Sequence, residues 1–293
     1  MDVEQPYFYS RNQIDDARWD NAIEHSSNAM PYALSWFLDA VTPNWNALIL
    51  GEYDYVMPLP TKQKFGINYY IQPYWTQQLG IFSEKPIDQK IQDLFFKQLK
   101  RNIYALKINH ANPLGEEMPN YILPLNQHYD NIKTSYHTNT QRNIKKANTQ
   151  QLTITTIKPS EFFPFWASQH TNDNILLEHL QRIAHNALQH QSLNIVAALL
   201  HNNIVSAALT ITHCSRIVFL APVSDKTGKE TKAMFAIVDH IVQTNAETPQ
   251  TLDFEGSRIP GVRRFYESFG AINQPYYFVE HFHPHWLVKL LHA

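Results

Sequence analysis

Thr251-Leu252-Asp253-Phe254-Glu255-Gly256-Ser257 and, a few residues on, Val262-Arg263-Arg264-Phe265-Tyr266-Glu267-Ser268-Phe269-Gly270-Ala271 decide the reading of this chain. The first run reads as a buried strand that enters a Gly-Ser turn. The second carries apolar side chains at 262, 265, 266 and 269, the i, i+3, i+4, i+7 spacing of an amphipathic helix. Gly270 stands where a glycine stops such a helix. A strand end with two carboxylates, set against a helix with two arginines and a tyrosine, is a place where proton transfer and anion binding can occur together.

Working outward, the chain divides into two segments with a similar order of elements. The first offers a helix at 32–40, strands at 45–50 and 53–59 joined at Gly51, and an aromatic extended stretch at 69–75. A helix at 87–100 follows, with Ile87, Ile91, Leu94, Phe95 and Leu99 on one side, and then a strand at 103–108. Residues 121–125 add a further strand. The second segment offers helices at 138–149 and 175–188, then strands at 194–200, 204–212 and 216–222. The first two of these are joined by a turn at His201-Asn202-Asn203, where Asn tolerates positive φ. A helix at 232–243, the strand and helix quoted above, and a last strand at 276–280 complete it. Both segments run helix, hairpin, extended strand, helix, strand, a repeat of architecture without repeat of residues. The polar stretch 126–133 marks the boundary, giving halves of 1–129 and 130–293.

The 293 residues are 44% hydrophobic, 17% charged and 13% aromatic, with a net charge of −2. This is a globular composition, and it excludes a strongly basic nucleic-acid binder, so DNA is not an expected partner. The lone Cys214 allows no intrachain disulfide and lies in the turn His213-Cys214-Ser215 as a passive residue. The start of the chain lacks the basic-then-apolar layout of a signal peptide, and apolar runs such as 195–200 are too short to cross a bilayer. The expectation is a cytoplasmic protein without an integral membrane segment.

Three places resemble Fem-type peptidyltransferases and the wider GNAT acyltransferases. Gln141-Arg142-Asn143-Ile144-Lys145-Lys146-Ala147 is similar to the Fem helix opening, Asp253-Phe254-Glu255-Gly256-Ser257 to the strand end, and Phe265 to Ala271 to the helix end. The resemblance covers roughly residues 130–282. It implies an α/β fold of two tandem GNAT-like halves, each a mixed, splayed sheet flanked by helices. It further implies transfer of an acyl or aminoacyl group from a carrier, acyl-CoA or aminoacyl-tRNA, to a small-molecule or peptide amine. Acyl-CoA would be a co-substrate rather than a bound cofactor. Two departures stand out. The position of the GNAT pyrophosphate loop reads Ser224-Asp225-Lys226-Thr227-Gly228-Lys229-Glu230-Thr231, with Asp225 where Arg or Gln is expected, and no helical arm of the Fem type is visible.

Acyl transfer to an amine needs a base, a cradle for the oxyanion and a proton for the leaving group. Glu255 and Asp253 are the candidate bases; local pairing or capping is the competing reading of both. Tyr266 resembles the GNAT tyrosine that protonates a departing thiolate, against a plain core role. The donor side is expected from Lys226, Gly228, Lys229 and Lys232 at a helix start and from Gly256, Ser257, Arg258 and Arg264 around the turn. Arg142, Lys145 and Lys146 share a helix face that is either a phosphate patch or simply solvated. Tyr70, Gln72, Tyr74 and Trp75 are expected to form an acceptor wall, with the active site in the cleft between halves. His281, His283 and His285 alternate, but Pro284 and the lack of acidic partners argue against metal, and none is expected. The competing function is a non-catalytic ligand- or partner-binding protein that kept the fold and lost its donor loop.

Overall fold

A computed structural model describes residues 5–64, 67–99, 103–170 and 173–281. In chain order the elements are β1 (Tyr7–Ser10), α1 (Asp16–Glu24), α2 (Ser35–Val41), β2 (Trp45–Leu50), β3 (Tyr55–Lys64), β4 (Ile67–Ile71), α3 (Gln89–Leu99), β5 (Ile103–Ile108), β6 (Glu116–Met118) and β7 (Tyr121–Pro124). Next come α4 (Tyr129–Thr134), α5 (Thr138–Asn148), β8 (Thr153–Thr156), α6 (Pro159–Gln169), α7 (Asn174–Gln189), β9 (Leu193–Leu200), β10 (Asn203–His213) and β11 (Arg216–Ser224). The last are α8 (Lys226–Thr231), α9 (Ala233–Asn245), β12 (Thr251–Asp253), α10 (Pro260–Glu267), β13 (Ile272–Asn273) and β14 (Tyr276–His281).

The strands form two mixed, seven-stranded sheets, β1-β2-β3-β4-β5-β14-β6 and β13-β7-β12-β11-β10-β9-β8. Each holds one parallel pair, β4 with β5 and β11 with β12, bridged by α3 and α9 respectively. The repeat of architecture read from the sequence is therefore real: α2-β2-β3-β4-α3-β5 matches α7-β9-β10-β11-α9-β12. The fold class is α/β, with two mixed sheets flanked by helices, as expected.

The boundary of the halves differs from the expected 129/130. One compact unit runs to Met118 and takes up the chain again at Pro275; the other is Pro119–Gln274. The additional strand expected in the first segment, β7, pairs with β12 and β13 of the second sheet. The strand expected to close the second segment, β14, pairs with β5 and β6 of the first. Each sheet thus completes itself with a strand from the other half of the sequence. Period-2 patterning marks a strand but says nothing of its partner, because register and pairing are fixed by tertiary packing.

Local chemistry accounts for the second unit. α7 turns Leu180, Ile183, Ala184 and Ala187 inward, and α9 buries Ile237, Val238, Ile241 and Val242. Each Leu, Ile or Val among them contributes about 1.5–3 kcal/mol when fully buried. The β9–β10 hairpin turns on His201 and Asn202, both at positive φ, one position earlier than the Asn-Asn pair suggested. β10–β11 turns on Cys214 and Ser215 in the same way, the geometry of a two-residue primed turn. α10 ends by Glu267, and Gly270 at φ +78° lets the chain reverse against Ser135, where a Cβ would run into the Ser135 hydroxyl. No helix among the described residues is long and apolar enough to cross a membrane.

Candidate functional site

The second sheet is open where its parallel strands diverge. β11 and β12 pair only over Arg216–Val218 and Thr251–Asp253. Beyond that point β11 stays with β10 as far as Ser224, while the chain after Asp253 leaves the sheet. Two backbone features drive the divergence. From Leu209↔Ala221 to Ile211↔Val218, two steps on β10 face three on β11, so β11 carries an extra residue; such bulges bend a strand and re-aim its side chains. On the other strand, Glu255 holds φ +60°, a left-handed conformation rare for a non-glycine residue.

The opening is a cavity of about 510 Å³. Its walls are Phe219, Pro222 and Val223 of β11, Met234 and Phe235 of α9, and Val262, Phe265 and Tyr266 of α10. Lys229 and Lys232 add the positive charge. All belong to the second unit.

Tyr266 is buried in this wall, its ring stacked on Phe254 at 5.0 Å between centroids. Burial raises its pKa, and the negative charges of Glu255 and Asp253 raise it further. The hydroxyl therefore stays protonated and can donate a hydrogen bond. Glu255 is half-buried, and its backbone is pinned on both sides: its N–H donates to Asp253 Oδ1 at 2.9 Å and its carbonyl accepts from Tyr121 N–H at 3.3 Å. Asp253 is committed elsewhere. It is fully buried, and its Oδ2 accepts from the Arg216 guanidinium at 2.6 Å. As one oxygen holds Arg216 and the other the Glu255 amide, the local-pairing reading of Asp253 is the one the geometry supports, and a role as proton acceptor is not.

The donor-side expectations separate in the same way. Gly228, Lys229 and Lys232 line the cavity; Lys226 is exposed and is not part of the lining. Gly228 is glycine for a packing reason, since a Cβ there would collide with the Val205 carbonyl oxygen of β10. Asp225, the departure from the GNAT loop, is the N-cap of α8: its Oδ1 accepts from Gly228 N–H at 2.7 Å. An amide expected to face phosphate is thereby used inside the protein. Gly256 and Ser257 are half-buried, with Ser257 Oγ accepting from Ile259 N–H at 3.1 Å; Arg258 and Arg264 are exposed, and none of the four lines the cavity. Arg142, Lys145 and Lys146 form an exposed face of α5, whose other side packs on α9.

The expected acceptor wall lies in the first unit and is not a single surface. Tyr70 is part of the core. Gln72 is a structural bridge, donating to the Thr76 carbonyl at 2.8 Å and accepting from Lys107 N–H at 3.1 Å. Tyr74 is exposed beneath the Lys62 ammonium, and Trp75 sits at φ +58° in the turn that follows β4. Sequence reasoning missed a polar depression of about 640 Å³ in this unit, where Asn12, Asn44, Asn46 and Asn68 gather from separate loops and strands. It also missed the apolar lining of the second-unit cavity, for which Pro222 near the end of a buried strand was the available signal. Among the described residues no group of acidic, His or Cys side chains could hold a metal. Of the alternating histidines, 283 and 285 lie outside the described residues.

A scan against protein-family models gives no match, and a search of curated proteins gives none either. Solved structures do match. The FemX crystal structure aligns with a TM-score of 0.71 at 12% identity, over 96% of this chain and 99% of that one. L-PGS from Bacillus licheniformis aligns at 0.60 and 11% identity, over 99% and 97%. A tandem GNAT protein from the clavulanic acid biosynthesis pathway aligns at 0.54 and 8%, over 94% and 98%. At such identities the likeness is one of fold, and that fold is the tandem GNAT-like architecture of the Fem-type proteins.

Proposed function

We propose that the chain is an N-acyltransferase that moves an acyl or aminoacyl group from an anionic carrier to an amine acceptor, with the donor held in the second-unit cavity. Fold alone never fixes function. The observation that carries the reading is the cavity beside the stretch of β11 that has parted from β12: it is walled by a neutral, buried tyrosine and by lysines suited to an anionic carrier, while the pinned Glu255 follows the end of β12, outside the lining.

In the proposed reaction the amine nitrogen attacks the carbonyl carbon of the donor. Glu255 takes the proton that nitrogen loses. The bond from the carbonyl carbon to the carrier's sulfur or oxygen breaks, and the Tyr266 hydroxyl donates to the departing atom as negative charge develops there. General acid–base help of this kind supplies roughly 10²–10⁴-fold. Asp253 and Arg216 act through Glu255, as positioning residues. The cytoplasm, where both carriers occur, is the proposed setting.

One observation favours the non-catalytic alternative. Asp225 spends its carboxylate on the Gly228 amide, so α8 offers a carrier pyrophosphate less than a GNAT loop would. The test is transfer: purified protein is incubated with acyl-CoA or charged tRNA and a panel of amines, and amide formation is followed by mass spectrometry. Turnover that falls in Glu255→Gln and Tyr266→Phe supports the reading. The absence of any amide product with both donor classes overturns it in favour of a binding protein.

A further inference from the structure

The cavity distinguishes among acyl groups by its size and its charge. At about 510 Å³ it falls within the range of small-molecule sites, and it has more than about three times the volume of an engineered apolar cavity that holds benzene. An acetyl group would leave most of that space as wetted apolar wall. Charge makes a second distinction. Among the described residues none of the lining side chains is acidic, while two are lysines. Two ammonium groups in the lining favour an anionic ligand over the α-ammonium of an aminoacyl ester. The remaining polar groups are few: Ser224 Oγ already hydrogen-bonds Ser206 Oγ at 2.6 Å, which leaves the Tyr266 hydroxyl. Lys232 holds a left-handed φ of +63° at the junction of α8 and α9.

We infer that the cavity binds the apolar chain of a long acyl ligand that also carries an anionic group, with Phe219, Val223, Met234, Val262 and Phe265 around the chain and Lys229 and Lys232 on the anionic group. This rests on the reading of the cavity as the donor site and narrows the donor class from acetyl or aminoacyl to fatty acyl. An apolar chain joined to an anion has two sources: a fatty-acyl thioester, whose carbonyl is neutral and whose charge lies on the carrier's phosphates, or a free fatty acid, whose charge is its carboxylate.

The experiment is calorimetric titration of the full chain with butyrate, octanoate, decanoate and laurate, and in parallel with acetyl-, octanoyl- and lauroyl-CoA. Affinity is expected to rise about two- to four-fold per added methylene until the cavity is filled, as burial of each methylene dictates. Val262→Trp and, independently, Met234→Trp each place an indole in the cavity from a half-buried position, and each is expected to weaken lauroyl binding at least tenfold with the melting temperature retained. Lys229→Ala combined with Lys232→Gly should weaken every anionic ligand by a similar factor and leave the chain-length slope unchanged. A slope with the thioesters identifies the carrier as CoA-like; a slope with the free acids alone identifies a fatty acid or lipid and, joined to an absence of amide product, removes the transferase reading while the acyl site stands. Affinity that does not change with chain length, or lauroyl binding untouched by both tryptophans, overturns the inference.

Discussion

Arg216 and Asp253 form a buried ion pair, 2.6 Å between guanidinium and carboxylate, whose second carboxylate oxygen holds the Glu255 amide. The pair thus ties the start of β11 to the end of β12 across the short stretch over which the two strands pair, and its carboxylate holds the left-handed turn that follows. Removal of one partner leaves an unpaired buried charge. Asp253→Ala is therefore expected to destabilise the protein by about 3–5 kcal/mol, whereas the double change Arg216→Met with Asp253→Leu should recover much of that loss. Urea denaturation of the two variants checks this, and equal losses in both would show that the pair's charge is not the cause.

Two glycines beside the cavity should respond in opposite directions. Gly228→Ala drives a Cβ against the Val205 carbonyl oxygen, an overpacking expected to cost about 1–3 kcal/mol. Gly261 lies on the first turn of α10, and a methyl group added there would meet nothing within 4 Å. Gly261→Ala should therefore be neutral or stabilise by up to about 1 kcal/mol, through lower chain entropy and better helix propensity. Thermal melts of the two single variants, compared directly, test the assignment.

Lys232 offers a separate test of backbone strain. It holds φ +63° between α8 and α9, and its own N–H donates to the Gly228 carbonyl. Lys232→Gly removes the charge and relieves the left-handed strain, and it should be about 1 kcal/mol more stable than Lys232→Ala, which removes the charge and keeps the strain. If the two variants melt together, the conformation is not maintained in solution.

Much of this was legible in the sequence. The spacing of Val262, Phe265 and Tyr266 located α10, and the element order of the two segments revealed the architectural repeat, because periodicity is a local property. The exchange of β7 and β14 between sheets was hidden, because a strand's pattern does not name its neighbour. The site was half legible for the same reason. Tyr266, Lys229 and Lys232 come together around one cavity. Asp253 is held by Arg216, 37 residues earlier in the chain, which strand pairing brings to it. Gly228 was read as a phosphate contact, but the atom that forbids a side chain there belongs to β10.

Stability should fall in alkali through buried phenols. Burial raises the pKa of Tyr136 and of Tyr266 above the ordinary value of 10.0, with the Asp239 charge adding at Tyr136 and Glu255 at Tyr266. In each case the folded state keeps a proton that the unfolded chain loses near pH 10. The stabilisation is therefore complete below pH 10 and is lost as pH rises towards the folded-state value, at about 1.4 kcal/mol per pH unit for each tyrosine. Urea midpoints between pH 9 and 11 should decline less steeply in Tyr136→Phe and Tyr266→Phe than in the parent chain. Parallel slopes in all three would place these hydroxyls in contact with water.

The proposed roles of Glu255 and Tyr266 separate kinetically. Once a donor is found, Glu255→Gln keeps the shape and the pinned backbone but cannot accept a proton, so kcat should drop by about 10²-fold or more with KM nearly unchanged. Asp253→Asn leaves Glu255 chemically intact but weakens the hold on its amide; it should lower kcat by a smaller factor and leave the apparent pKa of the pH–rate profile closer to that of the parent, which a direct proton acceptor would not do. Tyr266→Phe should slow donors with poor leaving groups more than donors with good ones, because only a developing negative charge on the departing atom needs the hydroxyl. Because phenylalanine keeps the ring stacked on Phe254, a uniform loss across donors would assign the hydroxyl to holding the donor rather than to its leaving group.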